Sequence, residues 1–200
     1  TITYTIWDDS GIITEDIVNP SLFVDGANSE VLIGDRYAGG MVFWLDGSGG
    51  GLIAATSDQS TASSWGCQGT IIPTMPGMSG VGDDIGKGYV NTSNIFMFCG
   101  EEGTAAMICM ELNHKGYSDW WLPNTAELRQ MYLNLYRQGL GSFGGNYWSS
   151  NDAYDIDFPE LTKGSAYNIQ FQYTQNPASD GHGGLYNKEF NANVRAVRAF

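Results

Sequence analysis

Leu128, Met131, Tyr132 and Leu135 recur at i, i+3, i+4 and i+7, the spacing that stacks side chains on one face of a helix. Asn124 stands where an N-cap belongs, Glu127 three residues on completes a capping box, and Pro123 discourages an earlier start. Gly139 offers a left-handed stop. Aromatic segments flank this helix, with Tyr117, Trp120 and Trp121 before it and Tyr147 and Trp148 after it. They read as strands, and their large rings are the surfaces on which the helix is expected to pack. A second helix is predicted where Thr104 caps a stretch in which Ala105, Ile108, Cys109 and Leu112 share a face, with Gly116 as its end.

Elsewhere the pattern is that of strands and turns. Met41 to Asp46 and Leu52 to Thr56 are apolar runs around the turn Gly47-Ser48-Gly49-Gly50-Gly51, which predicts a β-hairpin. Ser57 to Gly88 reads as mostly loop, with Trp65 as its anchor, and Asn91-Thr92-Ser93-Asn94 leads into the apolar run Ile95 to Phe98. From Ala166 to Tyr173 the alternation is clean. Ile169 and Phe171 point one way while Asn168, Gln170 and Gln172 point the other, so a half-buried strand shows a row of amides. Tyr167 and Tyr173 share the apolar parity and join a ligand face only where the strand twists or bulges at its ends. Gln175 to Gly184 reads as a flexible loop, and Asn193 to Phe200 as a closing strand. In that strand Arg195 and Arg198 face away from Val194 and Val197 only approximately, because the pattern slips by one residue.

The first 30 residues alternate weakly and are broken by Asp8-Asp9-Ser10-Gly11 and by Asn19-Pro20, which suggests a hairpin and a linker. The predicted organisation is therefore an N-terminal β extension or linker over residues 1–30 and a main domain over residues 31–200. Two helices among many strands, joined by long Gly-rich loops, give an α+β class.

Charge narrows the partners. Nine Lys plus Arg against 22 Asp plus Glu leave a formal charge of −13, which opposes nucleic acid, polyanions and anionic membranes by repulsion. The chain has no apolar run long enough for membrane insertion and no basic-then-apolar leader, so neither a span nor an uncleaved signal peptide is expected. With 27 Gly and a charged fraction of only 16%, the surface is expected to bind through hydroxyls, amides and rings.

Candidate chemistry is sparse. Three cysteines allow at most one internal bridge and a leftover thiol, and Cys67 and Cys99, both beside loops, are the pair best placed for it. Cys109 reads as a small buried hydrophobe, and His114 lies off its helix face, so neither a zinc site nor a Cys-His nucleophile has support. Gly80 to Gly88 reads first as a Gly-rich turn. A structural calcium is the second reading, without the alternating oxygen ligands of an EF-hand loop, and a nucleotide loop is the last, since Lys87 is followed by Gly88 and not by the Ser or Thr of a phosphate loop. Asp119 and Glu127 read as turn and cap residues and not as an acid/base couple.

Seven blocks in order carry a resemblance. They are Gly34-Asp35 with Gly39 to Trp44, Trp65-Gly66-Cys67, Ala105-Ala106 with Cys109, Gly116 to Pro123, Glu127-Leu128, Tyr147 to Ser150, and Val194 to Arg198. Together they resemble the collagen-like adhesin C-terminal domain family, also called the Lcl C-terminal domain, across residues 31–200. That resemblance implies a C-type lectin-like fold, a twisted and mainly antiparallel sheet with two helices, serving as a binding module on a cell surface, in a secreted protein or in a phage tail fibre. Leu122-Pro123-Asn124 lacks the acid or amide that opens the sugar-binding calcium motif of C-type lectins, and the acidity opposes the sulfated glycosaminoglycans associated with the family. Receptor-binding proteins diversified by retroelements share the fold and use a face rich in Asn, Tyr, Asp and Ser, a composition that Asn151 to Tyr173 matches. An oxidase of related fold holds copper with two reactive cysteines, but neither Cys67 nor Cys99 has a basic neighbour in sequence to favour the thiolate.

The expectation is thus a non-catalytic adhesin or receptor-binding module, extracellular or on a virion, with no cofactor. Its contact residues are Asn151, Asp152, Tyr154, Tyr167, Gln170, Gln172 and Tyr173, and its partner a glycan or protein receptor. The alternative is a structural or assembly subunit of an extracellular fibre, as a homo-oligomer.

Overall fold

The computed structural model describes residues 6–8, 11–13, 30–73, 85–153, 162–172 and 183–200. Tyr154, Tyr173, the glycine-rich stretch 80–84, the expected linker over 14–29 and most of the expected loop 175–184 lie outside these residues. The chain separates into two units, Thr1–Glu30 and Val31–Phe200. In the first, β1 (Ile6–Asp8) and β2 (Gly11–Ile13) form an antiparallel hairpin in which Ile6 faces Ile13 and Asp8 faces Gly11.

The second unit is α+β and mostly antiparallel. Its strands are β3 (Arg36–Tyr37), β4 (Gly40–Leu45), β5 (Gly51–Ala55), β6 (Ser60–Ser63), β7 (Gly145–Asp152), β8 (Ser165–Phe171), β9 (Gly183–Asn187), β10 (Ala192–Val194) and β11 (Val197–Ala199). Five of them form a sheet in the order β6-β10-β7-β8-β9, and four form a second in the order β11-β5-β4-β3. Only the β10–β7 contact is parallel among these pairs. The expected closing strand is two strands in two sheets, with Arg195 and Ala196 carrying the chain across. That crossing is the physical source of the slip in its apolar pattern.

Among the described residues three α-helices accompany the sheets, one more than the sequence suggested: α1 (Gly88–Cys99), α2 (Ala105–Met110) and α3 (Thr125–Asn134). The helix that the apolar pattern did not show is α1. Its buried residues Gly88, Asn91, Thr92 and Ile95 keep helical spacing, but two of the four are polar. Meanwhile Tyr89, Val90, Phe96, Met97 and Phe98 are exposed, so apolar residues mark the wrong face. Thr104 caps α2 through the Met107 N–H, but the helix stops at Met110, short of Leu112.

Two apolar cores sit on opposite sides of the strands, and neighbouring residues divide between them. Val42, Ile53, Trp120 and Trp148 lie in one core, while Phe43, Ala54, Trp121 and Tyr147 lie in the other with Leu128, Met131, Tyr132 and Leu135 of α3. The α3 helix therefore packs on Trp121 and Tyr147, not on Trp120 and Trp148. Strict alternation along a strand that is covered on both faces makes that division unavoidable.

The start of α3 is fixed by a buried carboxylate. Asn124 Oδ1 accepts from the Glu127 N–H at 2.8 Å, and Glu127 Oε2 accepts from the Asn124 N–H at 3.0 Å, closing the capping box. The same side chain also accepts the Trp121 indole N–H at 3.1 Å and, on Oε1, the Gly86 and Gly88 N–H groups at 2.8 and 3.1 Å. Glu127 thus joins the aromatic strand, the α3 start and the α1 start. Burial holds its carboxyl above the ordinary range, although the N–H donors favour the charged form and oppose that shift. Gly88 has to be glycine here, because a Cβ would run into Glu127 Oε2 and would lie 2.8 Å from the Trp121 indole nitrogen.

Cations that the apolar pattern could not place hold the rest. Arg195 is buried, pairs with Asp58 at 2.7 Å and donates to the carbonyls of Ala55 and Ser142. Arg198 forks onto both Asp119 oxygens at 2.6 and 2.8 Å and lies 4.0 Å over the Tyr117 ring, so Asp119 is an ion-pair partner as well as a turn residue. Lys188 is fully buried, with its ammonium 2.8 Å from Asp152, 2.9 Å from the Thr70 carbonyl and over the Trp65 ring. Cys67 and Cys99 form a disulfide that ties the Trp65 loop to the C-terminus of α1.

Glu127→Ala removes the acceptor of four N–H groups, three of them buried, and is expected to lower unfolding free energy by about 3–5 kcal/mol in urea melts. Glu127→Gln, which turns an NH2 toward two of those donors, should fall by roughly 2–4 kcal/mol, and exposed Arg129→Gln by under about 0.5 kcal/mol. The disulfide spans a sequence separation of 32 residues, so loop-closure entropy predicts that replacing both cysteines by Ser removes about 3–4 kcal/mol. A double variant with an unchanged urea midpoint would contradict that assignment.

Candidate functional site

Strand β8 is the middle of the three strands β7, β8 and β9, and its alternation sorts their side chains. Ile169 and Phe171 turn into the α3 core beside Tyr147, which pairs with Ile169 across the ladder. Asn168 and Gln170 take the other face, where Asn146 lies opposite Gln170, Trp148 and Gly184 lie opposite Asn168, and Tyr186 lies opposite Ala166.

At the end of that face nearest Phe171 the side chains are uncovered. Gln170 and Gln172 are both exposed, and the Gln170 amide donates to Gln172 Oε1 at 2.8 Å. Half-buried Asn146 donates from Nδ2 to the Tyr186 hydroxyl at 3.1 Å, a bond that runs diagonally across the row holding Asn168. Asn168 itself is only 2% exposed, and its Nδ2 has no hydrogen-bond partner. The Tyr186 ring stands edge-on to Trp148 at 6.0 Å and to Phe190 at 5.9 Å, and Phe190 is 58% exposed. Amides able to donate and accept, a hydroxyl and an open ring are a set suited to neutral polar ligands.

The structure divides the seven expected contact residues. Gln170 and Gln172 lie together on the surface. Tyr167 is half-buried and takes the opposite face, opposite Leu185. Asn151 and Asp152 are corrections, because both are buried. Asn151 Oδ1 accepts the Thr125 N–H at 2.9 Å, and Asp152 Oδ2 accepts from Ile72 N at 3.0 Å and pairs with Lys188. Their polar groups support the helix start and the Trp65 loop, since a buried carboxylate is tolerated only where it is paired. Asn168, expected to face solvent with the glutamines, is buried, with Trp148 opposite it in the ladder and the Asn146–Tyr186 bond running across its row. Tyr154 and Tyr173 lie outside the described residues.

Asn146, Tyr186 and Phe190 were not legible as site residues. Asn146 precedes two aromatic residues buried on both sides of β7, and Tyr186 belongs to β9, a strand whose Gly-Gly start reads as loop. The only cue was the pair of aromatic residues in the Tyr186 to Phe190 segment, which has no period.

Other reactive groups are committed elsewhere. Cys109 is fully buried, and desolvation pushes its thiol well above the ordinary range, which removes the thiolate needed of a nucleophile. Cys67, Cys99 and Glu101 place ligand atoms within 4.8 Å of one another, but the two sulfurs are bonded to each other and Glu101 accepts the Cys67 N–H at 2.6 Å. Among the described residues no helix is long and apolar enough to cross a membrane. Comparison of the chain with protein-family models and with curated proteins finds no match.

Proposed function

We propose that this chain is a non-catalytic recognition module, an adhesin or receptor-binding domain, built on a C-type lectin-like scaffold of the Lcl C-terminal domain kind. The observation that carries the reading is the Gln170–Gln172 amide pair. It stands exposed on a strand whose other face is sealed against α3, so the backbone beneath it is rigid. A rigid strand fixes the spacing of its amides and lowers the entropy lost on binding. The partner is a glycan or protein receptor, because the formal charge of −13 disfavours polyanions. The disulfide suits an oxidising compartment, which fits a cell surface, a secreted protein or a virion.

A second reading, a structural or assembly subunit of an extracellular fibre, draws on the exposed apolar residues Tyr89, Val90, Phe96, Met97 and Phe98 of α1. Grouped apolar exposure on one element is the usual mark of a protein contact. Both uses fit one chain, since recognition and assembly would take different elements.

Screening the full chain on a glycan array and on host cells should give binding that falls at least about tenfold in Gln170→Ala/Gln172→Ala, with an unchanged thermal midpoint, as expected for exposed contact residues. Undiminished binding in that variant would remove the amide pair from the site. Sedimentation of the full chain against Met97→Lys/Phe98→Lys tests assembly: the second reading expects an oligomer that the charged variant loses, and a monomer in both contradicts it.

A further inference from the structure

Asn168 is a buried amide whose nitrogen donates to nothing, although a buried donor without an acceptor is destabilising by about 1–3 kcal/mol. Its neighbours leave room for an acceptor to arrive. Directly across β9 stands Gly184, and a Cβ added there would sit 3.6 Å from Asn168 Oδ1, an ordinary contact distance. The missing side chain therefore leaves room for a methyl-sized group in contact with the amide oxygen. Across the row that holds Asn168, and beside the buried Trp148 that pairs with it, runs a single hydrogen bond of 3.1 Å from Asn146 on β7 to the Tyr186 hydroxyl on β9.

Resting on the recognition reading, we propose that the Asn146–Tyr186 pair is a latch over a subsite for one neutral, hydroxyl-rich residue of a saccharide, with the Asn168 amide as its floor. A ligand hydroxyl oxygen accepts the free Asn168 N–H, the Tyr186 phenol swings away, and the released Asn146 amide donates to a second ligand oxygen. Phe190, exposed at 58% and edge-on to Tyr186, supplies the ring on which the pyranose C–H face stacks. Gln170, aligned with Asn146 across the ladder, extends the row of amides toward the next sugar. None of these groups carries a charge, so the subsite complements neither an anionic nor a cationic residue. The latch also lowers affinity in the free protein, because the bond must break before the floor is reached.

The test uses the full chain, 15N-labelled and titrated with maltohexaose, cellohexaose, chitohexaose and mannohexaose, with a heparin hexasaccharide as the charged counterpart. At least one neutral oligosaccharide should bind and shift the side-chain NH2 signals of Asn168 and Asn146. Tyr186→Phe, which removes the latch bond and keeps the ring, should tighten that binding by about fivefold. Gly184→Val, which fills the space beside Asn168, should weaken it at least about tenfold while the thermal midpoint stays put. A Tyr186→Phe protein that binds no tighter overturns the latch. Preference for the heparin fragment overturns the neutral class, and no binding of any neutral oligosaccharide overturns the subsite. If a neutral oligosaccharide or a receptor binds through Gln170 and Gln172 while the Asn168 signals stay still, the subsite is wrong and the recognition reading stands.

Discussion

The Glu127 carboxylate is the constraint on which the arrangement of the main unit depends. One buried side chain takes N–H groups from Gly86, Gly88, Trp121 and Asn124, which belong to the α1 approach, the α1 start, the aromatic strand and the α3 cap. Burying a carboxylate is unfavourable unless its oxygens are satisfied, so these segments are held together or the group is not buried at all. Thr92 repeats the connection from the other side, accepting the Leu122 N–H and donating to the Gly88 carbonyl. With α1 and α3 fixed in this way, the Phe43 and Tyr147 side of the strands is covered, and uncovered polar surface is left at the Phe171 end of β8.

A second layer of buried charge does similar work at the sheets. Arg195, at the crossing between the two sheets, bonds the Ala55 carbonyl at the end of β5 and Asp58 just beyond it, while Arg198 holds Asp119 and the Ala38 carbonyl. Lys188 and Asp152 fasten the turn after β9 to the end of β7, beneath the loop that the disulfide closes. A chain with few charged residues has placed several of them where each is paired and hydrogen-bonded, which leaves amides and hydroxyls to form the open face. The cost of misplacing one such cation is high, and this favours a single arrangement over near alternatives.

Much of this was legible because local chemistry and tertiary packing agreed. The Asn124–Glu127 box, the α3 face, the Gly47 to Gly51 hairpin and the Ile169/Phe171 alternation each carry their own signal. The failures share a cause, namely polar residues doing buried work. Asn91 and Thr92 conceal α1, Asn151 and Asp152 look like a surface cluster yet brace a helix and a loop, and Arg195 marks a change of sheet that a single-strand reading cannot express. Gln170 and Gln172 were readable because the Phe171 end of their strand has one covered face and one open face. Tyr186 was not, since it meets Asn146 only through pairing of β9 with β8, and Phe190 joins only through its ring contact with Tyr186.

Native-state hydrogen exchange at the Trp121 indole and at the Gly86, Gly88 and Asn124 amides tests the role of Glu127 most directly. If one carboxylate locks these segments into a single cooperative unit, all four protons exchange only through global unfolding and with a common free energy. Rapid or unequal exchange, with Gly86 and Gly88 opening separately from Trp121 and Asn124, would contradict it.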